Sequence, residues 1–133
     1  MPNLVPMKLR PYSCVDNVPF SASREEVLRI HGSPAQEHRN DIGLNELDYG
    51  QQVFRFQDCG RLEEVTAHAP VLDLGGVAVP FGTLERFVRD NDPSAFERAG
   101  FLISPSFGFA FDPRCPSWVT ALAAHCIGEW EAL

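Results

Sequence analysis

The sequence predicts an α+β fold: a mostly antiparallel sheet packed against short helices, with an amphipathic helix at the C-terminal end. Three observations lead there. Stretches with a period near 3.6 are interspersed with runs of period two. Glycine and proline punctuate the boundaries, and strand–helix–strand order does not recur often enough for a doubly wound sheet. One domain over residues 1–133 accommodates all of these segments.

Pro2, Pro6 and Pro11 make residues 1–18 an extended lead-in rather than a helix. Ser23-Arg24-Glu25-Glu26 is a capping box, in which the serine hydroxyl accepts from a free backbone N–H and Glu26 reaches back. Val27, Leu28 and Ile30 supply an apolar stripe, Gly32 ends the helix and Pro34 prevents its resumption. So short a helix needs an apolar surface to lie on. The alternation over Gln51–Gln57 places Phe54 and Phe56 on one strand face and Val53 and Arg55 on the other. Asp58-Cys59-Gly60 turns the chain into a second strand, Arg61 to His68. There Leu62 and Val65 fall on opposite faces unless a bulge intervenes.

Gly75-Gly76 between Val71–Leu74 and Val77–Phe81 predicts a β-hairpin, because its tight turn needs positive φ, and Pro80 terminates it. Thr83 to Asn91 is helical in spacing, with Leu84, Phe87 and Val88 opposite Glu85, Arg86 and Arg89. Ser94-Ala95-Phe96-Glu97 reads as a second capping box opening a single turn that Gly100 closes. Phe101–Ile103 and Phe107–Phe111 are strands around Ser104-Pro105-Ser106. The second carries three rings on one face and only Gly108 and Ala110 on the other, a thin side against which something large can pack. Ser117 caps a final helix whose stripe is Val119, Leu122, Ala123, Cys126, Ile127 and Trp130. Helix-then-strands order occurs over 23–81 and again over 83–111, an echo of element order without matching residues.

Eighteen Asp plus Glu against eleven Lys plus Arg give a net charge of −7. That balance argues against nucleic acid, which needs a basic face, and favours a basic protein partner through its on-rate. No apolar run reaches spanning length and the N-terminal residues lack a signal pattern, so the expected setting is the cytoplasm, with reduced thiols and no membrane contact. Cys14, Cys59, Cys115 and Cys126 are too widely spaced for a zinc knuckle, and His31 and His38 bracket a loop, so no metal and no cofactor are expected. His125 and Cys126, adjacent on a helix, project about 100° apart and do not pair as base and nucleophile. Ser104-Pro105-Ser106 lacks the glycine of a nucleophile elbow, and no lysine follows Gly75-Gly76 to make a phosphate loop. No catalytic residue is assigned. The acidic residues Glu46, Asp48, Asp58, Glu63 and Glu64 crowd the first sheet, with Glu63 and Glu64 on opposite faces of their strand. Glu46, Asp48, Glu63 and Glu64, with Tyr49 as an aromatic anchor, form the predicted partner face.

Ser23 to Pro34, with the Gly32-Ser33-Pro34 exit, resembles the short helix of the outer-membrane-assembly lipoprotein and β-lactamase-inhibitor-like superfamily. Strands with a phrase like Val53-Phe54-Arg55-Phe56 to Gly60-Arg61-Leu62 follow that helix there. The likeness covers about forty residues, and no lipobox cysteine accompanies it. In size, acidity, element order and the half from Gly100-Phe101 to Trp118-Val119-Thr120-Ala121, the whole chain resembles the small acidic immunity proteins that bacteria encode beside secreted toxins. That resemblance implies a non-enzymatic bacterial protein that binds a cognate toxin and occludes its active site. Two readings compete with it. One is a small-ligand-binding domain or small enzyme, with a pocket on the thin Gly108–Ala110 side and Asp112 or His125 at its rim. The other is a homodimeric structural domain.

Overall fold

The computed structural model describes residues 6–133 and builds them into two sheets and three short helices. Met1 to Val5, the start of the expected lead-in, lie outside the described residues. The rest of that lead-in is a working part of the fold. Met7–Arg10 (β1), Cys14–Val15 (β2) and Val18–Pro19 (β3) form one side of a five-stranded sheet, completed by Val71–Leu74 (β8) and Val77–Pro80 (β9) in the order β3-β2-β1-β8-β9. Proline excludes helix but not strand, and Met7, Leu9, Val15 and Val18 alternate inward into the core.

The eight-stranded sheet holds Gln36–Arg39 (β4), Asn45–Asp48 (β5), Gln52–Phe56 (β6), Leu62–His68 (β7), Phe96–Arg98 (β10), Phe101–Ser104 (β11), Phe109–Phe111 (β12) and Trp118–Leu122 (β13). Its order, β10-β11-β12-β13-β7-β6-β5-β4, is two antiparallel four-stranded meanders joined where β13 pairs with β7, from Trp118↔His68 to Leu122↔Glu64. A helix precedes each meander: Arg24–His31 (α1) before the first and Phe81–Asn91 (α2) before the second. Every strand pairing in the two sheets is antiparallel except β1 with β8.

The local signals were specific at two places. Ser23 Oγ accepts from Glu26 N while Glu26 reaches back to Ser23 N, the reciprocal capping box. In the β8–β9 hairpin Leu74 pairs with Val77, Gly75 and Gly76 take φ of 61° and 98°, and Asp73 Oδ1 accepts from Gly76 N at 2.7 Å. The inner face of the large sheet then buries Phe54, Phe56, Val65, Phe109, Phe111 and Val119 against Val27 of α1, Leu84 and Val88 of α2, and the smaller sheet.

The segment from Ser117 departs from expectation. Trp118–Leu122 is a strand, and the C-terminal helix (α3) covers only Cys126–Glu131. Ser117 has φ of 68° and does not cap a helix. Small alanines suit either periodicity; what decides is that this strand fills the gap between β12 and β7 and satisfies both of their edges. Ser94 likewise opens no helical turn. Asp92 accepts from its backbone N and hydroxyl, Phe96–Arg98 pairs with β11, and Ala99-Gly100, both at positive φ, turn between them. Gly108 is not on the thin face either. It lies in the β11–β12 connection at φ of 72°, with the Tyr12 ring 3.2 Å from where a Cβ would stand, and Tyr12 OH donates to Pro105 O. Ala110 does face outward, and Cys126, Ile127 and Trp130 of α3 pack over it and Ile103. Among the described residues no helix is long and apolar enough to cross a membrane.

Candidate functional site: an acidic cleft on the open sheet face

Because α3 covers only the β10–β13 half of the outer face, the other half is left as a cleft of about 830 Å³. Its floor depends on the bulge. Arg55 pairs with Glu64 but Phe56 pairs with Leu62, so Glu63 is one residue too many in β7. The insertion brings Leu62 and Val65 into the same core despite their odd spacing. It also corrects the expected orientation of the acidic pair: Glu63 and Glu64 do not point to opposite faces, but both line the cleft.

From the first meander inward, a polar row crosses the floor. His38 Nε2 lies 2.9 Å from Glu46 Oε1, Arg55 Nε donates to Glu46 Oε2 at 2.7 Å, and Arg55 Nη1 donates to Thr66 Oγ1 at 2.6 Å and to Glu64 Oε1 at 3.3 Å. Thr66 Oγ1 and Thr120 Oγ1, 2.9 Å apart, carry the row across the β7–β13 junction. Asn40 Nδ2 donates to Glu46 from the β4–β5 loop, whose Asn40 side chain also accepts from Ile42 N and Leu44 N and so shapes that rim. On the opposite rim stand Phe101, Trp118 and Trp130, with Phe101 and Trp130 in ring contact at 5.3 Å.

The start of α3 closes onto the bulge. Ala123 N and the Cys126 thiol both donate to Glu63 O, at 2.9 and 3.2 Å, and the same thiol lies 2.8 Å from Glu63 Oε2. His125, the residue before α3, brings Nε2 to 2.6 Å from Glu63 Oε2 but makes no hydrogen bond there, and the buried Glu63 Oε1 makes none either. A short helix beginning at Cys126, in place of a long one through it, therefore lets the two neighbours meet at one carboxylate. Burial, reinforced by the Glu63 carboxylate, pushes the Cys126 thiol well above its ordinary range, so the thiol serves here as a donor.

The cleft lining carries six carboxylates, Asp41, Glu46, Glu63, Glu64, Asp112 and Glu129, against the single guanidinium of Arg55. That net of −5 is most of the chain's −7. Burial raises the Glu64 carboxyl above its usual range, only partly offset by Arg55 and aided by Glu63. Burial opposes ionisation of Glu46 as well, but Arg55, Asn40 and His38 outweigh it and hold that carboxyl low. A low-dielectric cleft lined by one sign of charge concentrates the opposite sign.

Neither a family model, nor a curated protein, nor a solved structure gives a match.

Of the predicted partner residues, the fold gathers Glu46, Glu63 and Glu64 and separates Asp48 and Tyr49 from them. Asp48 accepts from Gly50 N at the end of β5. Tyr49 packs edge-on against Phe54 and beside His31 and donates to Gly32 O, an anchor of α1 outside the cleft lining. Asp58 pairs with Arg39 at an exposed turn. His31 and His38 do not converge: one packs at a tilt against Phe54 and the other meets Glu46. Arg55, Thr66, Thr120, Trp130 and Glu129 were missed as site residues. For Arg55 the signal was present, since strand parity already put it opposite Phe54 and Phe56.

Proposed function

We propose that this chain is a non-enzymatic protein-binding domain of the immunity type, whose acidic cleft receives a cationic segment of a toxin partner. The observation that carries the reading is the cleft itself, with six carboxylates, one guanidinium and an aromatic rim in a single concavity. An arginine or lysine entering it meets carboxylates for its charge and Trp118, Trp130 and Phe101 for its stem and π-face. Glu46 and Glu64 are already pinned by Arg55, which fixes their positions before a partner arrives. Asp41 and Glu129, both exposed at the rim, are free to steer the encounter.

The immunity reading expects a toxin-sized reading frame beside the gene, and the test is binding to its product, measured by calorimetry at several salt concentrations; absence of such a frame counts against the reading. The rim variant Asp41→Lys/Glu129→Lys leaves the floor's ion pairs intact, and its affinity should fall roughly tenfold or more, in line with charge pairs at interfaces. Binding that is unchanged in this variant and insensitive to salt would defeat the reading. The volume of about 830 Å³ also lies in the range that encloses a small molecule, and this favours a small organic cation as the second reading. Retained affinity for such a cation in the absence of any protein partner distinguishes it.

A further inference from the structure

We infer that Glu63, His125 and Cys126 form a binding site for a borderline divalent metal ion of the zinc class at the floor of the cleft. Their ligand atoms, a carboxylate oxygen, an imidazole nitrogen and a sulfur, all lie within 4.8 Å of one another. This donor set suits Zn²⁺ and Co²⁺, whereas Mg²⁺ and Ca²⁺ select oxygen alone. The two segments that supply it are held together without any ion, because the bulge carbonyl of Glu63 accepts from Ala123 N.

A second observation separates this cluster from an ordinary ion pair. Glu63 is only 2% exposed, yet its Oε1 has no hydrogen-bond partner, and the nearest cation on that side, Arg61 Nη2, stands 3.7 Å away. His125 Nε2 is also without a hydrogen bond although 2.6 Å from Glu63 Oε2. Buried polar atoms left unsatisfied are costly and call for a partner. A divalent ion among the three side chains takes a lone pair from each at once. Binding would release the Cys126 proton to solvent, with no change of oxidation state. His125 is partly exposed and gives the ion a way in, and Glu63 and Cys126 line the cleft.

The experiment is a titration of the reduced full chain with Co²⁺, followed by Zn²⁺ displacement. One equivalent should bind, with sulfur-to-cobalt charge transfer and the visible bands of tetrahedral cobalt. The triple variant Cys14→Ser/Cys59→Ser/Cys115→Ser, which keeps Cys126 as the only thiol, should retain both signals. Cys126→Ser should lose the charge-transfer band, and His125→Ala, at a partly exposed position, should bind roughly tenfold or more weakly while keeping the native circular dichroism. Absence of Co²⁺ and Zn²⁺ binding at micromolar concentration, loss of the band in the triple variant, or full-affinity binding by His125→Ala would overturn the inference. Metal binding is read without a protein partner, so its failure leaves the reading of the acidic cleft to its own test.

Discussion

Replacing Asp92 with asparagine should remove a block of stability that exists only above the carboxylate range of pH. Asp92 ends α2, is 2% exposed, and accepts from Ser104 Oγ at 2.6 Å, Ser106 Oγ at 2.8 Å, Ser94 N at 2.9 Å and Ser106 N at 3.1 Å. Burial by itself would raise its pKa. Hydrogen bonds from Ser104, Ser94 and Ser106 outweigh burial and hold the carboxyl at about 2, against an ordinary 3.8. A carboxyl lowered by folding stabilises the protein above its unfolded pKa and ceases to do so as pH falls through the folded value. The difference is worth about 2.5 kcal/mol, lost between roughly pH 5 and pH 1. Urea unfolding of the wild type and Asp92→Asn at a series of pH values is the measurement. The stability gap should be at least about 2.5 kcal/mol at neutral pH and shrink by most of that amount by pH 2. A gap that stays constant over this range would show that the serine cage does not hold the ionised form, and would refute the reasoning. Ser104→Ala, which deletes one buried donor, should cost about 1–3 kcal/mol at neutral pH.

Other outcomes follow from the same contacts. Phe54 is fully buried between α1 and the sheet and touches His31 and Tyr49, so Phe54→Ala should lower the unfolding free energy by about 3–5 kcal/mol in urea. Gly76 sits at φ of 98° in open space, and Gly76→Ala should destabilise the hairpin through backbone strain alone, by about 1–2 kcal/mol in thermal or urea unfolding. Arg55→Met leaves burial to act on Glu46 unopposed by the guanidinium, so the Glu46 carboxyl should move upward in a carboxyl-carbon NMR titration. The variant's stability deficit should appear above the carboxylate range and narrow as pH falls.

Local chemistry in the sequence determined the elements whose signals are self-contained. Ser23 with Glu26, Gly75-Gly76 between apolar runs, and the Leu84–Val88 stripe each produced the expected element, since a cap, a two-residue turn and an amphipathic face depend on residues a few positions apart. The same stretch of text was ambiguous at β13, where the residues of one helical stripe also fit a strand. Only the open edges of β12 and β7, more than fifty residues apart in the case of β7, chose between them. The odd spacing of Leu62 and Val65 announced an irregularity without locating it. Pairing with β6 put the extra residue at Glu63, and that one insertion turned two neighbouring carboxylates onto the same face. The acidity was legible from composition, and strand parity pointed Arg55 outward; that six carboxylates converge, and that Glu63 meets His125 and Cys126, was not. Those contacts join residues some sixty positions apart, and long-range pairing carries no local periodicity by which to recognise it.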